Sequence, residues 1–196
     1  MILQELANVV LEALHQQRPL VPWHFPINIM PEFKGMFGKF FVGDPVTEVA
    51  ADYSELDAIL ESTGAKITQH WRVPKPRCER PPQDRILMPP RSWFLSAATF
   101  HATRIHEVLH FLELPYRVGW IGSDHQAELV AEVGTAFLES HLRLPHDRGE
   151  IANIRKWLPS WTDGINASPA YLFDAVAQAE RAVNYLLHLR RLKEAA

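Results

Sequence analysis

The sequence predicts an α+β fold that is mainly helical and has a small mixed or antiparallel sheet. Two observations carry this prediction. Only the runs 66–73 and 85–88 have the apolar, β-branched character of strands, and both lie in the first half of the chain. The segments that follow them place apolar residues at helical spacing.

Length and composition predict one compact domain. The 196 residues can bury a core without dividing, and 47% of them are hydrophobic. No apolar run is long enough to cross a bilayer, no secretory signal is present, and the single cysteine excludes an intramolecular disulfide. We therefore expect a cytoplasmic protein, with no membrane partner and of unknown oligomeric state, folded as one domain over 1–196. It would comprise an N-terminal helix and covering segment (1–46) and a core (47–196).

The first part of the chain contains two predicted helices. Residues 2–17 place apolar side chains on one side, and residues 18–46 are rich in Pro, Gly and Phe, which predicts an irregular covering segment. A helix over 45–63 ends at Gly64. The two strands follow, joined by a proline-rich loop.

The next helix is strongly periodic. Ser92 or Ser96 can cap its start, and Pro115 follows its end. Its apolar stripe consists of Ala98, Ala102, Ile105, Leu109 and Leu112. We expect this side of the helix to pack into the core.

The same helix contains H-E-x-x-H at residues 106–110. His106 and His110 lie one turn apart, so both can reach one metal ion, and Glu107 can hold a water beside it. These are the groups that a zinc hydrolase needs, and their position next to the apolar stripe weighs against chance. His101 lies about 140° round the helix from His106 and is expected to be a packing or surface residue.

A catalytic zinc site needs a third protein ligand. The following helix, capped by Ser123 or Asp124, places Glu128 and Glu132 on one face. We predict that Glu128 binds the metal and that Glu132 accepts a hydrogen bond from the far nitrogen of a ligand histidine. Both glutamates could instead be solvated, and Glu132, Asp124 and His125 stay open as alternative ligands.

Two further helices are predicted. Residues 150–158 are expected to form a short helix. The pair Ser168-Pro169, a cap followed by proline at the first helical position, begins a long final helix. With two strands placed early, the small sheet is expected to edge the metal cleft.

The net charge of −3 argues against broad nucleic-acid affinity. A local basic run departs from this average: Arg72, Lys75, Arg77, Arg80, Arg85 and Arg91. Binding of DNA or an acidic partner is one interpretation of this run. We favour a solvated loop and strand edge.

Several blocks resemble, in order, the zincin-like metallopeptidase domain of ArdC-type antirestriction proteins and related polyvalent proteins of plasmids and phages. The resemblance covers roughly residues 50–190, and its blocks include D-R-I-L-M-P-P at 84–90, the H-E-x-x-H helix, E-L-V-A-E-V-G at 128–134 and the helix around 177–187. It implies a zincin-like fold and a gluzincin-like zinc peptidase with one Zn²⁺ per chain. ArdC-type proteins carry an N-terminal domain that binds single-stranded DNA, and we expect this chain to lack it.

The predicted reaction is hydrolysis of a protein or peptide substrate, with Glu107 as general base. A donor to the oxyanion is also required, and the candidates are His125, Tyr116, Arg117 and His146. The alternative function is a non-proteolytic, zinc-containing antirestriction module or a module that binds protein or DNA.

Cys78 suggests a separate hypothesis. The segment P-R-C-E-R-P at 76–81 resembles the cysteine-switch segment of matrix metalloprotease propeptides, in which a thiolate occupies the fourth zinc position. Cys78 is therefore a candidate latency thiol. The glycine that follows the cysteine in that segment is absent here, so we favour chance.

Overall fold

The computed structural model describes residues 51–94, 96–120, 122–145 and 151–195, with backbone alone at 151–156 and 158. The predicted N-terminal helix, the covering segment and His146 lie outside the described residues. The helices are α1 (Ser54–Ser62), α2 (Ala97–Leu112), α3 (Asp124–Leu142), α4 (Ile151–Ala167) and α5 (Ala170–Glu194). The strands are β1 (Lys66–Gln69), β2 (Arg77–Glu79) and β3 (Arg85–Met88), and a 3₁₀ turn spans Arg91–Trp93. The α+β, mainly helical prediction is confirmed.

The sheet is mixed, with strand order β1-β3-β2. β1 pairs with β3 in parallel, and β2 pairs with β3 antiparallel, with Cys78 opposite Ile86. The sequence analysis did not predict β2, because only four residues separate the prolines on either side of it, Pro76 and Pro81. An edge strand tolerates such flanking prolines. β1 ends at Gln69, earlier than the predicted residue 73, because the chain turns at once and Val73 N–H donates to His70 O.

Three helix boundaries differ from the prediction. Among the described residues, α1 begins only at Ser54. α4 does not end at residue 158 but continues through Pro159 to Ala167. Its second half is anchored by buried Trp161, whose Nε1–H donates to His125 O at 2.7 Å. Pro169 occupies the N-cap of α5 rather than its first helical position, so this helix begins one residue later than predicted, at Ala170.

The core lies where α2 packs on β2 and β3 on one side and on α3 on the other. α5 packs against α3 and α1. The largest fully buried side chains come from all of these layers and include Ile59, Ile86, Met88, Ile105, Leu109, Leu138 and Leu186. The predicted stripe of α2 is therefore its core side.

Within the described part of the chain, none of the helices is both long and apolar enough to cross a membrane.

Candidate metal centre

Two capped helices carry the histidines and the glutamates. Ser96 caps α2, where its side chain accepts a hydrogen bond from Thr99 N–H at 3.0 Å. Ser123 caps α3 by accepting from Gln126 N–H at 3.3 Å. Of the caps that the sequence left open, these two are the ones used. Both begin their helices in a fixed register, which determines the faces presented to the cleft.

α2 and α3 approach each other closely beside the motif. A Cβ added at Gly134 would lie 2.8 Å from Cδ1 of the buried Leu109, so the Leu109 side chain or the helix would have to shift. Glycine therefore lets the backbone of α3 pack directly on Leu109. Since Leu109 precedes His110 and Gly134 follows Glu132 by two residues, this contact brings the two functional faces together.

Three predicted ligands converge. His106 Nε2 lies 3.0 Å from His110 Nε2. Glu128 places Oε2 at 3.5 Å from His106 Nε2 and Oε1 at 3.7 Å from His110 Nε2. The ligand atoms of these three residues all lie within 4.8 Å of one another, so one ion can contact all of them. Two imidazoles and one carboxylate fit a divalent cation with a further position open to the cleft.

Each histidine also meets a carboxylate on its other ring nitrogen. Glu132 Oε1 lies 3.4 Å from His106 Nδ1. Glu113 Oε1 contacts His110 Nδ1, and Arg80 holds the other oxygen of Glu113 at 2.7 Å. Such carboxylates fix the tautomer and orientation of a ligand histidine.

Glu113 is a residue that the sequence analysis missed. It is the C-cap residue of α2, three positions after His110. The sequence did contain a signal for this contact, because Glu113 lies three residues after His110 and side chains at this spacing are neighbours on a helix. Its partner Arg80 comes from the loop after β2, a contact that the sequence pattern does not contain.

The site carries an excess of negative charge. Burial lowers the pKa of His106, but the carboxylates of Glu128, Glu132 and Glu107 together raise it above its ordinary value. Carboxylates that stabilise the protonated, positively charged ring of His106 would stabilise a divalent ion bound at this position in the same way.

Glu107 is buried, with 7% of its surface exposed. Burial raises the pKa of Glu107, while His106, His110 and a hydrogen bond from the backbone N–H of Cys78 act in the opposite direction. The net effect is a pKa of Glu107 above its ordinary value. A carboxyl tuned in this way can both accept and return a proton.

The three predicted ligands and Glu107 open onto a cleft of about 850 Å³. One wall is formed by β2 and its flanking loops, and the other by α3. Basic side chains line the first wall, at Lys75, Arg77 and Arg80, whereas Asp124 lines the second. The cleft is large enough for a peptide segment rather than a single ion alone.

None of the described oxyanion candidates is among the residues that line this cleft. His125 is exposed at the start of α3, and Tyr116 is 65% exposed. Arg117 is held by Asp84 at 2.6 Å, and it also donates to Phe111 O. His146 lies outside the described residues.

Cys78 and His101 occupy different surroundings. Cys78 lines the cleft on β2, and burial together with the Glu107 and Glu113 carboxylates raises the pKa of its thiol to about 12. The latency role stays a prediction. His101 stacks on Tyr53 with ring centroids 3.9 Å apart, in agreement with the packing role expected for it.

Fold and site together define a class: a zincin-like metal centre, in which the helix bearing both histidines lies between a small sheet and a second helix that supplies carboxylates. A family model described as zincin-like metallopeptidase matches residues 54–178. The chain belongs to this family, which confirms the resemblance found in the sequence.

Relatives and solved structures agree with this assignment. Two Escherichia coli proteins named DNA primase TraC are similar to this chain, one 32% identical over 138 residues and the other 31% over 136. Each match takes in 66% of this chain, but only 12% and 9% of the two relatives, so the chain spans about a tenth of their length.

Two crystal structures of the antirestriction protein ArdC from the R388 plasmid share the fold. The metal-free structure has a TM-score of 0.60 and 32% identity, and the Mn(II)-bound structure has 0.59 and 31%. Both alignments cover 72% of this chain and about half of the ArdC chain, 52% and 53%.

Proposed function

We propose that the protein is a zinc-dependent metallopeptidase in which His106, His110 and Glu128 hold the ion. The observation that carries this proposal is the convergence of these three ligand atoms within 4.8 Å, next to buried Glu107. The Mn(II)-bound structure of ArdC supports a divalent ion in a relative of this fold. We propose zinc because H-E-x-x-H on a helix is its usual setting.

A zinc ion held there would supply Lewis acidity, which polarises a peptide carbonyl and lowers the pKa of a water to roughly 7. Glu107 takes a proton from the attacking water while the water oxygen bonds to the carbonyl carbon. Glu107 then gives the proton to the amine as the C–N bond breaks. Glu132 and Glu113 keep the two imidazoles in orientation throughout.

The reaction also needs a cation or hydrogen-bond donor for the oxyanion. Arg80 and Arg77 line the cleft, but each is engaged by a carboxylate, Glu113 and Glu79 respectively. We keep His146 as a candidate alongside these two. If His146 is the donor to the oxyanion, His146→Ala should lower kcat and leave the metal content unchanged.

The central test replaces the general base. Glu107→Gln should retain the metal and lose peptidase activity on unfolded, fluorescently labelled casein by at least about 100-fold, the usual contribution of general acid–base catalysis. Glu180→Gln, at an exposed position of α5, is the matched control and should be fully active. Equal activity of Glu107→Gln and the wild-type protein would remove the proposal.

The antirestriction protein that shares the fold motivates a second candidate, an antirestriction module that acts without proteolysis. Protection of unmodified DNA against a restriction enzyme in cells distinguishes the two functions. Glu107→Gln should abolish protection if protection requires proteolysis. Full protection by this variant would support the second candidate instead.

A further inference from the structure

One end of the sheet gathers two loops. Because β1 and β3 are parallel, the segments that follow them, 70–76 and 89–93, leave the sheet at the same end. One hydrogen bond holds each segment to the end of the neighbouring strand: His70 N–H donates to Met88 O of β3 at 3.0 Å, and Arg91 N–H donates to Gln69 Oε1 of β1 at 2.9 Å. β2 runs antiparallel to β3 and begins at this end as well.

Both loops expose a tryptophan. Trp71 is 62% exposed and Trp93 is 56% exposed. The guanidinium of Arg72 lies over the Trp71 ring, 4.6 Å from its centroid, and His70 packs beside the same ring. Large aromatic groups left this open in a folded domain point to a binding surface.

The same loops are positively charged. Residues 70–78 and 89–94 contain no aspartate or glutamate. Arg72, Lys75 and Arg91 form no ion pair with any described residue, whereas Arg77 and Arg85 are both engaged by Glu79. Three cations are therefore left to attract an anionic partner, although the whole chain carries a net charge of −3.

We propose that this surface, formed by Trp71, Arg72, Lys75, Arg91 and Trp93 and here termed the sheet-end surface, binds single-stranded nucleic acid. Bases would stack on the two indoles, and phosphates would pair with the three cations. An acidic peptide would use the cations but leave the indoles without a role, and a duplex hides the faces of its bases. The proposal does not depend on peptide hydrolysis.

The test uses fluorescence anisotropy of the full chain with a short fluorescein-labelled oligothymidylate at low salt. The wild-type protein should bind this strand more tightly than the corresponding duplex. Trp71→Ala should raise the Kd about tenfold, as expected for the loss of one stacked base. With three phosphate contacts, the slope of log K against log salt should be about −2.

Matched controls lie on α5, at exposed Leu192 and Arg191. Leu192→Ala and Arg191→Gln should leave the Kd unchanged, while Arg72→Gln should raise it. Metal content and circular dichroism of Trp71→Ala verify that the fold is intact. Absence of oligothymidylate binding, or equal binding by Trp71→Ala and wild type, would overturn the proposal. Polyglutamate binding that depends on Arg72 but not on Trp71 would identify an acidic-peptide surface and also overturn it.

Discussion

At the scale of single residues, the proposed metal centre is organised by two carboxylates that contact the far ring nitrogens of its histidines. His106 and His110 each have one ring nitrogen toward the cluster and the other toward Glu132 or Glu113. Arg80 in turn holds Glu113, so the orientation of His110 depends on a loop outside its own helix. We infer that the two histidines would be oriented before an ion binds, which would favour its affinity.

Glu113→Gln should weaken metal binding about 10- to 100-fold, because His110 loses the charged acceptor that fixes its ring. Competition with a chromogenic chelator measures the affinity. Glu180→Gln, which removes an exposed glutamate from α5, should bind the metal as the wild-type protein does. If both variants had the wild-type affinity, Glu113 would have no part in positioning His110.

His101 contributes a pH dependence that is separate from the metal. Burial, with the nearby Arg104 guanidinium, lowers the pKa of His101 from 6.5 to about 4. The guanidinium contacts Nδ1 at 3.1 Å and can only donate, so Nδ1 accepts and the neutral ring carries its proton on Nε2. Between pH 6.5 and about 4, His101 is protonated in the unfolded chain but stays neutral in the folded protein. Stability linked to His101 is therefore lost as pH falls from 6.5 toward 4.

His101→Phe keeps an aromatic ring beside Tyr53 and removes the titrating group. In urea unfolding with chelator present, the free energy of unfolding of the wild-type protein should fall more steeply below pH 6.5 than that of His101→Phe. His188→Phe, at an exposed site on α5, should follow the wild-type curve. Parallel curves for wild type and His101→Phe would contradict the assignment.

At the scale of elements, the site depends on how closely α2 and α3 pack. Gly134 provides that closeness, since any side chain there meets Leu109. Both residues lie within one turn of a functional residue, so helix packing and site geometry are coupled. Glycine inside a helix ordinarily costs about 1 kcal/mol of stability relative to alanine. The close packing of α2 on α3 that Gly134 permits offsets this cost.

Gly134→Ala should lower the free energy of unfolding by about 1–3 kcal/mol through overpacking, although alanine is the better helix former. Urea unfolding measures the change. In a Leu109→Ala background, where the obstructing methyl groups are gone, the same substitution should be neutral or stabilising. A more stable Gly134→Ala protein in the wild-type background would contradict the close packing.

The elements also explain where sequence-based prediction succeeded. α2 and α3 were predicted because their apolar residues recur at helical spacing between recognisable caps. The proposed ligands follow from that register. β2 was missed because four residues between prolines are too few to show a strand periodicity. α4 was predicted too short because tertiary contacts, with Trp161 at their centre, outweigh the proline inside it.

At the scale of the whole molecule, the cleft lies between a sheet edge and a helix that are far apart in sequence. β2 supplies the backbone N–H that reaches Glu107, and α3 supplies Glu128 and Glu132. Local patterns predicted the ligand residues, but not Arg80 and Glu113, whose pairing joins two segments through tertiary structure. The sheet-end surface likewise depends on tertiary structure. Its two loops are 13 or more residues apart in the sequence, and the parallel pairing of β1 with β3 places them at one end of the sheet.

Metal content measured by elemental analysis, on protein purified without added metal, tests the central claim most directly. We expect one divalent ion per chain in the wild-type protein, much less in Glu128→Ala, and the wild-type amount in Asp124→Ala, which removes a neighbouring carboxylate that lies outside the ligand cluster. An absence of metal in the wild-type protein, even after zinc is offered, or full occupancy in Glu128→Ala, would contradict the three-ligand centre.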